Sequence, residues 1–283
     1  LLMLTVVCCI SIIYPLYCRK KFPITKYNFS YNGKTIRKIL SFSTWSTFSS
    51  FATVGSKQGL DILLNMSHGV ALNAATAIMN QVSSAIYSFI QNFQVAVNPQ
   101  LTKNYAAQDW IYFRQLFYAA SKFSFYLILI LSLPVMLCMN EILRIWLKNV
   151  PDYTAAFCVL SIIGLMINAL GGPVWTAIQA SGTIKKYQAC ISGIILLNIP
   201  AYYILLVFLK LSPPSALSIP IITNIIVVAI GLRFILKRQH ITLPEYTARV
   251  FYPIAKVGIA GLIFPVFARM ALKSSLAPVP YVL

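Results

Sequence analysis

The chain has 283 residues, 59% of them hydrophobic and only 10% charged, and its mean hydropathy is +0.77. A soluble domain carries about 25% charged residues, so composition excludes an ordinary water-soluble fold, and no polar stretch is long enough to fold alone. The formal net charge of +18 invites a nucleic-acid reading, but no basic and aromatic groove motif accompanies it.

Apolar runs recur at 1–18, 39–66, 70–98, 114–139, 154–180, 187–209, 214–236 and 250–272. Each is near or above the ~20 residues needed to cross a bilayer. The expectation is an all-α fold: a polytopic membrane helix bundle of about eight transmembrane helices. The first run, Leu1 to Cys18, has no charged segment before it and no A-x-A cleavage site after it. It reads as a membrane helix cut at its start rather than a signal peptide, which makes the chain a fragment on this reading. A basic link from Arg19 to Lys38 follows.

The second run contains "TVGSKQGLDILLN", Thr53 to Asn65. At helical spacing Ser46, Ser50, Thr53, Lys57, Asp61, Asn65 and His68 share one face. The other side carries Gly55 and Gly59, a spacing that permits close helix contact. A lysine near the bilayer centre costs about 2.5–3.5 kcal/mol, and Asp61, one turn on, offsets part of this as an ion pair. Three readings of the pair stay open: a helix-pinning ion pair, a cavity site for an anionic or proton-coupled cargo, and an interfacial position. Lys57 lies nineteen residues past Lys38, about 28 Å along a straight helix, so depth alone does not choose.

The third run repeats the pattern, with Asn73, Asn80, Ser84, Ser88, Gln91, Gln94 and Asn98 on a stripe flanked by Gln81 and Asn92. Later runs add Asn168, Gln179, Asn198 and Asn224. One or two amides are ordinary interhelical glue. Two long polar stripes point to a hydrated cavity, because bare polar groups in hydrocarbon are costly. Asp109 and Asp152 are placed to cap the fourth and fifth runs. Glu141 and Arg144 mark the far end of the fourth, and Glu245 and Arg249 form an exposed pair four residues apart. In the fifth run Gly171, Gly172 and Pro173 predict a weakened helical ladder at mid-span, and broken helices in transporters border substrate paths.

Basic residues test this layout. Assigning the gaps alternately puts sixteen Lys and Arg on one side and five on the other, with Lys57 and Lys256 inside runs. The rich side is cytoplasmic by the positive-inside rule, so the net charge is a topology signal with attraction to anionic membrane lipids. The six cysteines are scattered without CxxC or Cys/His spacing and read as small buried hydrophobes. No Gly-rich phosphate loop, Ser/His/Asp set or metal-ligand spacing appears. His68 and His240 fall on opposite sides. The sequence therefore offers no catalytic residue, no metal site and no cofactor, and an enzyme is the minor reading.

"LNMSHGVALNAATAIMNQVSSAIYSFIQNFQVAVNPQLTKNYAAQD" and "GGPVWTAIQASGTIKKYQ" resemble the second half of transporters in the multidrug/oligosaccharidyl-lipid/polysaccharide exporter superfamily. The likeness runs over roughly 37–240. The second stretch is similar to a later helix and turn of the polysaccharide-flippase branch. The resemblance implies two six-helix lobes that rock around a central cavity. On that template 1–18 is the last helix of a truncated first lobe and 19–38 is the basic cytoplasmic inter-lobe loop. Residues 39–236 form the six-helix MATE/flippase-like second lobe, and 237–283 a cytoplasmic loop plus one extra helix. Cation-coupled drug exporters of the superfamily carry an acid near the position of Val54, whereas this chain has Val54 and then Lys57. Lysine suits a phosphate, and amides suit sugar hydroxyls. The implied function is flipping of polyprenyl-diphosphate-linked oligosaccharide across the bacterial inner (cytoplasmic) membrane, for O-antigen, capsule or exopolysaccharide assembly. Proton or sodium coupling would supply the energy, and pathway partners would be a polysaccharide polymerase and glycosyltransferases. A drug or small-molecule exporter is the alternative. The expected cavity residues are Lys57, Asp61, Gln58, Thr53, Asn80, Gln81, Ser84, Gln91, Gln94, Asn168, Trp175 and Gln179.

Overall fold

A computed structural model describes residues 2–22, 32–182, 184–239, 241–261 and 263. The expected basic residue Lys26, the position of His240 and the terminal stretch 264–283 lie outside them. The chain divides into two compact units, Leu1–Ser41 and Phe42–Leu283. The first unit contains α1 (Leu2–Lys21), which ends on Arg19, Lys20 and Lys21, where cations complement the helix dipole. It also contains the start of α2 (Gly33–His68). Asn32 caps α2, its side-chain oxygen accepting from the Lys34 and Thr35 N–H groups at 3.1 and 3.3 Å.

The second unit is built of helices throughout its described residues. The rest of α2 is followed by α3 (Ala71–Ala106), α4 (Trp110–Leu137), the short α5 (Met139–Trp146) and α6 (Thr154–Ala180). Then come α7 (Ile184–Leu196), α8 (Asn198–Tyr203) with a π-helical turn at Ile204–Phe208, and α9 (Pro213–Ala216). Last are α10 (Ser218–Gln239) and α11 (Leu243–Tyr246), which passes through a π-helical turn at Thr247–Phe251 into a helix over 252–261. Among the described residues four helices are long and apolar enough to cross a membrane: Trp110–Leu137, Thr154–Ala180, Ile184–Phe208 and Pro213–Leu236. The runs expected at 1–18, 39–66 and 70–98 fall on α1, α2 and α3, which are not among these four.

Local chemistry sets the turns. Gly69 takes a left-handed φ of +84° between α2 and α3, which glycine adopts without a Cβ penalty. Asp109 caps α4 as expected, accepting from the Tyr112 N–H at 3.1 Å. Asp152 does not cap α6. The residue before that helix is Tyr153, with φ +62° and no capping side chain, and the Thr154 hydroxyl donates to the Pro151 carbonyl at 2.7 Å instead. The Glu245–Arg249 pair forms at 3.5 Å. The cysteines are free thiols, but only Cys158 is buried. Cys8, Cys9, Cys138 and Cys190 are exposed and Cys18 is intermediate, because they sit on the outward faces of their helices.

Two expectations about helix breaks change places. α6 runs unbroken through Gly171, Gly172 and Pro173, and the Thr176 hydroxyl donates back to the Gly172 carbonyl at 3.2 Å. The interruption falls instead at Leu197, between α7 and α8. Pro200 lies just after it, and a proline ring crowds the carbonyl four residues earlier.

α6 is the central helix, packed on α3, α4 and α10. Two apolar clusters hold it. One gathers Leu64, Ala75, Ile90, Ile128, Phe157, Ile162 and Leu206. The other gathers Leu101, Phe113, Phe117, Val174, Leu232, Tyr246 and Val250. Between the stretches that feed one cluster and those that feed the other, the chain carries polar residues. Gln94 and Asn98 on α3, Ser124 on α4, Asn168 on α6, Asn198 on α8 and Thr223 and Asn224 on α10 all fall in this gap, which is where the cavities open.

Candidate functional site

Three neighbouring cavities follow α3 and α6, which run past them in the same direction. The first, about 260 Å³, is lined by Thr53, Ser56 and Lys57 of α2, Met79, Ser161, Gly164, Asn198, Tyr202, Thr223, Asn224 and apolar neighbours. The second, about 280 Å³, is lined by Ser49, Tyr87, Gln94, Asn98, Asn168, Gly171, Gly172, Trp175, Thr176, Tyr187, Gln188, Ile191, Asn224, Val227 and Val228. The third is an open groove lined by Asn98, Pro99, Thr102, Lys103, Thr176 and Gln179 among others. Asn224 belongs to the first and second, and Asn98 and Thr176 to the second and third.

Hydrogen bonds tie the walls together. In the first cavity Thr223 Oγ1 donates to Asn198 Oδ1 at 2.6 Å, and Asn198 Nδ2 donates to Ser56 Oγ at 3.3 Å. One buried amide thus joins α2, α8 and α10, using both its acceptor and its donor. Asn224 Nδ2 donates to the Gly164 carbonyl at 3.2 Å, and the hydroxyls of Ser83 and Ser161 meet at 2.7 Å between α3 and α6. Between the second and third cavities Thr176 Oγ1 donates to Asn98 Oδ1 at 2.9 Å. Gln94 lies in a notch over Gly172, where any Cβ would fall on its amide. Its Nε2 donates to Ser124 Oγ and to the Ala169 carbonyl, both at 3.4 Å. The Gly-Gly-Pro sequence therefore makes room for a side chain rather than breaking a helix.

The expected cavity residues divide. Thr53 and Lys57 line the first cavity, Gln94, Asn168 and Trp175 the second, and Gln179 the third. Lys57 is an exposed residue at the rim, and Asp61 is half-buried one turn along. The two do not close to ion-pair distance. Gln58 is exposed on α2. Gln81, Ser84 and Gln91 are exposed along one stripe of α3, and Asn80 is half-buried beside them. These five, and Asp61 with them, line none of the three cavities. The face α2 buries is Ala52, Ser56, Leu60, Leu63 and Leu64, one position away from the polar stripe. Of the two glycines expected at a close contact, Gly59 meets Ile199 of α8, with room for a Cβ only at 3.2 Å, while Gly55 faces open space.

Sequence reasoning passed over Ser56, Thr176, Gln188 and Thr223. Single hydroxyls and one glutamine among apolar neighbours look like ordinary surface or glue residues. Pairing signals would have helped: Ser56 sits one position from the polar stripe, and Gln188 directly follows the aromatic Tyr187. Among the described residues no group of three His, Cys, Asp or Glu is arranged to hold a metal.

No family model, curated protein or solved structure matches the chain. The fold and composition define an all-α bundle with helices fit to cross a membrane.

Proposed function

We propose that this chain is a transporter lobe that moves polyprenyl-diphosphate-linked oligosaccharide across the bacterial inner membrane by alternating access, with about eight spans in all. The observation that carries this reading is the set of amide-lined cavities in the polar middle layer of apolar helices, with Lys57 at the rim of one. Bilayer-crossing helices keep polar side chains only where protein or water meets them. Asn168 is exposed at the middle of α6, which is also one of the four apolar helices. The exposed stripe of Gln81, Ser84 and Gln91 on α3 asks for a watery or protein surface as well. An ammonium at the rim suits the diphosphate as a point charge, and the amides suit hydroxyls.

A second reading, a cation-coupled exporter of drugs or other small molecules, is favoured by one feature. The first cavity is mostly apolar, with Leu60, Met79, Leu160, Leu165, Ile195, Leu217 and Ile221 in its walls.

The test is water access to position 57. With the six native cysteines replaced, Lys57→Cys is labelled in intact cells by a membrane-impermeant thiol reagent, with and without polyprenyl-diphosphate oligosaccharide. Labelling that the lipid-linked sugar slows is the expected result. Labelling without protection moves the weight to the exporter reading, and no labelling from either side removes Lys57 from the cargo path.

A further inference from the structure

We propose that the second cavity is a binding site for one neutral, hydroxyl-bearing ring, a single sugar residue. The proposal rests on the transport reading for the origin of that sugar and on the cavity's own walls for its chemistry.

Gln188 is the first reason. It is only 3% exposed, it lines the cavity, and its Oε1 has no hydrogen-bond partner. A buried acceptor left alone is costly, so such an atom in a native fold calls for a donor from outside the chain. The facing walls hold more unused capacity. The Asn168 side chain makes no hydrogen bond among the described residues. Asn224 spends its amino group on the Gly164 carbonyl and keeps its oxygen. Asn98 spends its oxygen on Thr176 and keeps its amino group. The lining thus offers both donors and acceptors, as hydroxyl groups require.

Charge selects among ligands with hydroxyls. Among the described residues no Asp, Glu, Lys, Arg or His lines this cavity. A charged ligand would lose its hydration without gaining a counter-charge. The neighbouring cavity with Lys57 at its rim differs on this point, so a phosphate and a sugar of the same cargo would separate between them.

Shape selects a ring. The half-buried Trp175 packs on the buried Tyr187, with centroids 5.9 Å apart and planes 34° from parallel. Phe234 meets the edge of Tyr187 at 5.8 Å and holds it in place. A sugar has an apolar C–H face that packs on such rings and an edge of hydroxyls that needs amides, which is the usual mix of apolar wall and few convergent polar groups. The cavity of about 280 Å³ equals roughly nine liquid-water volumes at about 30 Å³ each. That is room for one ring, not for an oligosaccharide. Water alone could satisfy Gln188, but it would gain nothing from the half-exposed ring of Trp175.

The experiment keeps Trp175 as the single fluorophore. In the full chain, purified in detergent, Trp45, Trp110 and Trp146 are replaced by phenylalanine. Emission is titrated with glucose, galactose, rhamnose and N-acetylglucosamine, and with glucuronate as the charged comparison. The expected result is a saturable change with at least one neutral sugar, at least tenfold weaker with glucuronate and at least tenfold weaker in Gln188→Leu. If Gln188→Leu loses its helical circular dichroism, Asn168→Ala replaces it, since that side chain holds no internal bond. No saturable change with any neutral sugar, or equal affinity in the folded variant, overturns the proposal and leaves a water-filled void. Transport of the lipid-linked cargo is measured separately. Sugar binding without transport would sink the transport reading and keep this site, whereas transport without sugar binding would sink the site alone.

Discussion

Asn198 shows how much one side chain can carry here. Its oxygen accepts from Thr223 and its amino group donates to Ser56, so a single buried amide crosslinks three helices in the wall of the first cavity. Replacing it with leucine keeps the volume and strands two buried hydroxyls. Asn198→Leu should cost about 1–2 kcal/mol, between the typical interhelical hydrogen bond in a bilayer and the penalty for an unpaired buried group. Thermal unfolding in detergent reads it, and Thr223→Val in the same background should add little, because its partner is already gone. A midpoint unchanged by Asn198→Leu would mean the bonds do not hold the helices. Asn198 is visible in the sequence as one more amide in an apolar run, but its partners are not. Nothing in a chain of letters places residues 56, 198 and 223 at one point, because that depends on where α8 kinks. Lys57 and Asp61 are the reverse case. Their spacing is plain, and the ion pair it suggests does not close.

Helix α6 was the element most open to misreading. Gly171, Gly172 and Pro173 weaken a helix on paper, and the physical rule is sound for a helix alone. Packing overrides it, since α3, α4 and α10 surround α6 on its flanks and Thr176 returns a bond to the turn. The glycines serve the neighbours instead. Gly172→Ala would push a methyl onto the Gln94 amide and force that side chain out of its bonds to Ser124 and Ala169. The expected outcome is a loss of stability that largely disappears in a Gln94→Ala background, with a coupling of about 0.5–3 kcal/mol in the double-mutant cycle. Additive losses would show that Gly172 matters for another reason. Helix positions, the capping of α4 by Asp109 and the Glu245–Arg249 pair were all legible, because each depends on neighbours a turn away. The cap of α6 and the break between α7 and α8 were not, because each is decided by loop conformation and by a proline's effect on the preceding turn.

For the whole molecule, the polar middle layer is where composition and function meet. Two apolar clusters hold the helices, and the amides fall near the stretches where one cluster gives way to the other, so the cavities open beside packed cores. Within the proposed transport cycle Asp61 is the one acid beside the Lys57 rim. Asp61→Asn should leave expression and the detergent unfolding midpoint unchanged while abolishing gradient-dependent cargo movement, measured in inverted vesicles with and without an imposed proton or sodium gradient. Full activity in the variant would place the coupling elsewhere. The cavity walls themselves differ in how they are held. α2 approaches the rest of the bundle closely at few points: it buries Ala52, Ser56, Leu60, Leu63 and Leu64, while Phe42, Ser43, Thr44, Phe48, Ser50 and Phe51 are exposed. Its fastening lies toward one end, in Leu60, Leu63 and Leu64 of the first cluster, the Ser56–Asn198 bond and the Gly59–Ile199 contact. Ser49, which lines the second cavity, lies before that fastening, so one side of that cavity is closed by a lightly held stretch of helix rather than by either cluster.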